Sequence, residues 1–148
     1  MDIRKITPHY AVSQQILVEH LPAIAAAGFT TVICNRPDSE IPFDQQAAQI
    51  GAAARAAGLR FEVLELTMQT MTPQNVERHK NLIDGSDGPV LAYCRSGTRC
   101  SIVWALGQAG DMSPDQILAA AQGAGYDLSG MATTLTQIAQ ASGKTPSR

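Results

Sequence analysis

Short apolar, β-branched runs alternate with helix-length segments along nearly the whole chain, and this alternation constrains the fold most strongly. Residues 29–34 (Phe-Thr-Thr-Val-Ile-Cys), 59–66 and 89–93 read as strands, the first and last apolar enough to be buried on both faces. Two shorter strand-like runs, 3–6 and 10–12, precede them. Between the strands come helical patterns. Ile16, Leu17, Leu21, Ile24 and Ala25 share one face, with Pro22 inside the pattern as an interruption or a kink and Gly28 as a stop. Residues 43–57 form an Ala-rich segment closed by Gly58. Thr72-Pro73 and Ser113-Pro114 each pair an N-cap side chain with a proline at the first helical position. They predict helices to about Asp84 and Gly123, and two more cover about 98–109 and 128–141. Strands separated by helices of this length predict an α/β protein of three layers, with a mostly parallel central sheet flanked by helices.

At 148 residues the chain suits one domain, over 1–142, ending in a polar, flexible tail at 143–148. A net charge of -2 gives no electrostatic case for nucleic acid or an anionic membrane. No apolar run approaches the roughly 18 residues a membrane span needs. The N-terminus lacks the apolar stretch of a signal peptide. Three cysteines, Cys34, Cys94 and Cys100, are an odd number at irregular spacing, which argues against a disulfide framework and for a reducing, cytoplasmic setting. The histidines are scattered and no Cys-x-x-Cys occurs, so neither metal nor cofactor is predicted.

The chemistry concentrates where the 89–93 strand stops: Cys94, Arg95, Ser96, Gly97, Thr98, Arg99, Cys100 and Ser101, then an apolar helix. Sheets of this kind bind ligands beyond the carboxyl ends of their strands. Gly97 permits a tight turn whose successive N–H groups form a concave anion site. The helix that follows aims its positive dipole end into the same space. A thiol placed there loses its proton near neutral pH and becomes a nucleophile. Cys94 is therefore the predicted catalytic residue and Arg99 its partner. Arg95, Ser96, Gly97, Thr98, Cys100 and Ser101 make up the predicted anion cradle. Arg36 and Glu40, in the loop after Cys34, read equally as a solvated pair or structural salt bridge and as candidates for orienting substrate. Cys34 and Trp104 read as core, His79 as an exposed mid-helix residue, and Met68 and Met71 as a possible apolar rim. Cys100 reads first as a packed small residue, and second as a thiol that resolves oxidised or persulfidated Cys94.

Cys94-Arg95-Ser96-Gly97-Thr98-Arg99 resembles the active-site loop of single-domain rhodanese sulfurtransferases. The wider pattern resembles the cysteine-dependent dual-specificity phosphatase fold. It runs through 28–33, Asn35-Arg36-Pro37-Asp38-Ser39-Glu40, 58–61, 89–94 and 110–115. Together they resemble a bacterial family of phosphatase-like domains that occurs alone or fused ahead of a metallo-β-lactamase-like persulfide dioxygenase module. That resemblance implies either of two activities. Phosphatases of this type place five residues between Cys and Arg. Here Arg99 follows after four, Cys100 holds the expected arginine position, and Ser101 falls where a hydroxyl steadies the thiolate. Moving the arginine by one helical position turns its origin by about 100° and 1.5 Å. The stretch where such phosphatases carry a general acid, 66–72, has no carboxylate. These departures favour a rhodanese-like sulfurtransferase that takes sulfur from thiosulfate or glutathione persulfide. It would carry the sulfur as a Cys94 persulfide, pass it to a thiol acceptor, and have a persulfide dioxygenase as a possible partner. A phosphatase working through phosphocysteine is the alternative, and a non-catalytic anion-binding or redox-sensing module is the third reading.

Overall fold

The computed structural model describes residues 1–143, and the sheet it contains has five strands. They are β1 (Ile3–Thr7), β2 (Tyr10–Ser13), β3 (Thr31–Cys34), β4 (Arg60–Val63) and β5 (Val90–Tyr93). Their order is β1-β2-β5-β3-β4. Only the β1–β2 pair is antiparallel, and β2, β5, β3 and β4 run parallel. Among the described residues six α-helices complete the fold: α1 (Leu21–Ala26), α2 (Ala47–Ala56), α3 (Pro73–Asp84), α4 (Thr98–Gln108), α5 (Pro114–Gly123) and α6 (Ala132–Ser142). The predicted three-layer α/β architecture is the one found. The tail expected over 143–148 lies, from residue 144 on, outside the described residues. No described helix is long and apolar enough to cross a membrane.

Strand alternation divides the core into two layers. Tyr10, Val12, Ile33, Val90 and Ala92 face one side, where they meet Ile83, Val103, Trp104, Ile117 and Leu135 from α3 to α6. Ala11, Val32, Cys34, Leu91 and Tyr93 face the other, against Leu21, Ile24, Ile50 and Ala54 from α1 and α2. The same parity sends Cys94 to the α4 side and Cys34 to the α2 side, although both lie at strand ends. β5 has a parallel neighbour on each side, and all four of its residues are buried, which matches its uninterrupted apolar sequence.

The ends of several elements differ from the sequence expectation. The segment expected as one helix over 43–57 begins as a 3-10 turn, Phe43–Gln45, and α2 starts only at Ala47. Its first backbone N–H, at Ala47, is taken by Asp38 Oδ1 at 2.8 Å, a cap nine residues upstream that no local pattern announces. Pro22 does not kink a helix. It sits in the first turn of α1, after a 3-10 turn at Val18–His20. The strand expected over 59–66 pairs only at Arg60–Val63, and its continuation bends so that Leu64 and Leu66 enter the core.

His79 corrects a further expectation: it is buried, not exposed. Val76, His79 and Ile83 fall at i, i+3 and i+7, so His79 lies on the stripe that α3 turns to the sheet. Its Nε2 meets Asn35 Oδ1 at 3.2 Å, and its ring stands edge-on to Tyr10. Burial lowers its pKa from 6.5 to about 3. The ring is thus neutral in the fold while the unfolded chain binds a proton below pH 6.5. Stability falls progressively as the pH drops from 6.5 towards 3. Urea midpoints across that range should show a shallower loss for His79→Gln than for the natural chain. At the centre of the sheet, Leu91→Ala should lower the unfolding free energy by about 2–5 kcal/mol, read from the same urea curves.

Candidate active site

β5 ends at Tyr93, and pairing continues one residue further on both sides: Cys94 N–H donates to Ser13 O at 3.3 Å, and Asn35 N–H donates to Tyr93 O at 2.9 Å. The chain then leaves the sheet, turns through Ser96 and Gly97, and enters α4 at Thr98. Gly97 is left-handed, with φ of 91°, a conformation that favours glycine. Its N–H donates to Cys94 Sγ at 3.1 Å. Cys94 is 1% exposed, almost wholly enclosed by its own loop.

An enclosed sulfur favours the neutral thiol, yet Cys94 ionises at about pH 5. The largest cause is a hydrogen bond from the Cys100 thiol; burial opposes it, and the backbone amides of Cys100, Gly97 and Ser96 add to it. Cys100 is fully buried, and burial together with the neighbouring thiolate keeps it protonated and therefore a donor. Its carbonyl is held in turn by Tyr10, whose hydroxyl donates at 2.8 Å and whose ring stacks on Trp104. Trp104 is core, as predicted.

Arg99 leaves α4 in another direction. Its Nη1 and Nη2 donate to Glu40 Oε2 and Oε1 at 2.9 and 2.8 Å, a two-pronged pair, and Nη1 also donates to Leu66 O at 2.8 Å. Glu40 accepts from Arg36 Nε at 3.4 Å, and Arg36 Nη1 donates to Gln15 Oε1 at 3.2 Å. The Arg99 hydrogen bonds hold the Glu40 carboxyl below its ordinary pKa, and Glu40 in turn holds the Arg99 cation, with the Cys94 charge adding to it. The loop after β3, the segment after β4 and the start of α4 are thereby joined beside the thiolate. Arg36 and Glu40, read as candidates from the sequence, both belong to this network.

The remaining predicted residues divide. Ser96 and Thr98 turn their hydroxyls to each other at 3.0 Å, and Arg95 is exposed, with no hydrogen-bond or ion-pair partner among the described residues. Ser101 does not steady the thiolate. Its hydroxyl donates to Gly97 O at 2.8 Å, because its place in α4 directs it back along the helix, and the Cys100 thiol takes the expected position. Cys34 is core, its thiol donating to Arg36 O at 3.4 Å. Glu65 accepts the Asp38 N–H at 3.0 Å. Met68 is exposed, and Met71 packs on the core. Sequence reasoning missed Gln15 and Tyr126, whose hydroxyl donates to Ser96 O at 3.0 Å. Both reach the site through tertiary contact, with no local motif to mark them.

The thiolate therefore rests first on Cys100. Cys100→Ala should raise the Cys94 pKa from about 5 by roughly one unit, the worth of one hydrogen bond to a charged group. The pH dependence of Cys94 alkylation by iodoacetamide reads that shift.

The chain is similar to known proteins over most of its length. Residues 2–111 match the family model described as the beta-lactamase hydrolase-like protein, phosphatase-like domain. A beta-lactamase hydrolase-like protein of Xylella fastidiosa is 30% identical over 94% of this chain and 33% of its own length. The chain thus spans between 25% and 33% of the curated relatives it matches. The crystal structure of a Neisseria meningitidis protein, classed provisionally as a phosphatase, is 36% identical. It superposes with a TM-score of 0.82 over 93% of this chain and 99% of that one. TpbA of Pseudomonas aeruginosa, solved with phosphotyrosine, shares the fold at 14% identity and a TM-score of 0.66, over 97% of this chain and 91% of its own. The matched segment contains the whole Cys94 loop, and the chain belongs to the family of beta-lactamase hydrolase-like phosphatase-like domains.

Proposed function

We propose that this chain is a cysteine-dependent phosphatase. Cys94 Sγ attacks phosphorus in a phosphate monoester, the S–P bond forms as the ester P–O bond breaks, and water then hydrolyses the phosphocysteine to free phosphate. The observation that carries this reading is a thiolate stable down to about pH 5, enclosed by converging amides at the start of an eleven-residue helix, on a phosphatase fold. The same amides and the dipole of α4 are suited to charge on the phosphoryl oxygens. Arg99, fixed by Glu40, supplies the nearby cation, and exposed Arg95 offers a second charge to the incoming anion.

Residues 66–72 carry no carboxylate, Glu40 is held ionised by Arg99, and Asp38 and Glu65 are engaged by the N–H groups of Ala47 and Asp38, so none of these carboxylates is placed to protonate the leaving oxygen. Lack of general acid catalysis costs about 10²–10⁴ in rate for poor leaving groups and little for good ones. Aryl phosphates, which leave as phenoxides, should therefore be turned over far better than alkyl phosphates. Cys94→Ser should abolish the hydrolysis, and kcat/KM, corrected for the substrate phosphate's own ionisation at about 6, should fall as the pH drops through about 5, where the thiolate gains its proton. Aryl-phosphate hydrolysis that survives in Cys94→Ser would remove the activity from this site.

A second reading, sulfur transfer, is favoured by the four-residue spacing, which sets a thiol instead of a guanidinium against the nucleophile. Thiolate attack on thiosulfate or glutathione persulfide forms an S–S bond and releases sulfite or glutathione, and neither leaving group needs a strong acid. A thiol acceptor then takes the outer sulfur. Intact-mass measurement after mixing with either donor separates the readings. A gain of about 32 Da on the natural chain but not on Cys94→Ser, without aryl-phosphate turnover, would put sulfur transfer first.

A further inference from the structure

The peptide unit between Ser96 and Gly97 is gripped at both ends. Its N–H, from Gly97, donates to Cys94 Sγ at 3.1 Å, and its carbonyl, from Ser96, accepts from the Tyr126 hydroxyl at 3.0 Å. A trans peptide is planar and its N–H and C=O point in opposite directions, so fixing one fixes the aim of the other. A hydrogen bond on the carbonyl also polarises the unit and strengthens its N–H as a donor. Tyr126 lies so close to the back of the loop that a Cβ on Gly97 would run into its hydroxyl.

Tyr126 is itself held in place. It follows α5, and its N–H donates to Ala121 O at 2.9 Å. The Arg4 guanidinium stands 5.8 Å from the centre of its ring while Nη1 donates to Ala124 O at 3.2 Å, which ties β1 to the same turn. Burial pushes the Tyr126 pKa above its ordinary value, so the hydroxyl keeps its proton and remains a donor.

We propose that Tyr126 is a positioning residue for the nucleophile: its hydroxyl holds the Ser96 carbonyl outward and thereby aims the Gly97 N–H at the Cys94 sulfur. The role concerns the thiolate itself, so it holds for phosphoryl and for sulfur transfer alike, and its test does not depend on turnover.

Tyr126→Phe keeps the ring and the Arg4 contact and removes only the hydroxyl. The pH dependence of Cys94 alkylation by iodoacetamide, mapped by peptide mass, should move up by about half a unit to one unit. Among the described residues, Cys100 and Arg99 from α4, Tyr10 from β2 and Tyr126 interact electrostatically with Cys94, and each has its pKa raised, out of the acid range where Cys94 titrates. Glu40, paired with Arg99, is held below the ordinary carboxylate pKa and is common to the natural chain and both variants. The Gly97 amide proton should move upfield in the same variant as its hydrogen bond weakens. Site-specific Tyr126→3-fluorotyrosine, a stronger donor of nearly the same shape, should lower the Cys94 pKa instead. This second variant keeps the test intact should Tyr126→Phe fail to fold. A folded Tyr126→Phe with an unchanged Cys94 pKa and Gly97 amide would overturn the proposal. A 3-fluorotyrosine variant whose Cys94 pKa stays the same or rises would also overturn it.

Discussion

A negative charge enclosed at the end of the central strand is the constraint around which this molecule is arranged. Cys94 is carried to that place by β5, which is buried on both faces and cannot shift register without turning its apolar residues to the wrong layer. An anion there is costly unless dipoles converge on it. The Gly97 amide donates to the sulfur at 3.1 Å, and the Cys100 thiol and the amides of Cys100 and Ser96, from the same short stretch of chain, lower its pKa further. No guanidinium makes a hydrogen bond to the sulfur among the described residues. The cation nearest in role, Arg99, is spent on Glu40 and on the Leu66 carbonyl. The charge is thus held by oriented dipoles and not by a tight ion pair.

The two-layer core explains why only one of the cysteines at the strand ends is held as a thiolate. Cys34 and Cys94 occupy equivalent ends of neighbouring parallel strands, but their parity is opposite. Cys94 faces the layer in which α4 begins and receives that helix's N–H groups. Cys34 faces α2, beside Tyr93, where burial raises its pKa and leaves it a neutral core residue.

The fold was legible in the sequence where burial is repetitive. Alternating apolar runs located the five strands, and Thr72-Pro73 and Ser113-Pro114 marked the starts of α3 and α5, where both side-chain caps form. Cys94 and Gly97 were legible because a strand, a nucleophile and a left-handed glycine in that order have a mechanical meaning. The rest required side chains to meet across the fold. Asp38 caps α2 from outside any local window, and His79 looks polar among polar neighbours until the stripe of α3 is laid against the sheet. Tyr126 reaches the loop only because α5 returns the chain over β1 and Arg4. Cys100 was legible as a position but not as the donor, since which first-turn side chain of α4 points inward depends on how that helix is rotated against the sheet.

That rotation is where the one-residue difference in spacing acts. Thr98, Arg99 and Cys100 occupy successive positions of the first turn of α4, about 100° apart. Packing of Val103, Trp104 and Ala105 fixes the helix against the sheet and so fixes which position looks at the sulfur. It is the sixth residue after Cys94, and that residue is a thiol. The fifth, Arg99, is carried round to the edge where the segments after β3 and β4 run, and there it finds Glu40 and a backbone carbonyl. An arginine at the inner position could donate to two oxygens of a bound phosphoryl group. A thiol there donates one hydrogen bond to the sulfur and offers no such fork. The loop therefore stabilises a thiolate well and offers less to the oxygens of a bound anion, so that on the phosphatase reading proposed above the leaving group becomes the decisive variable.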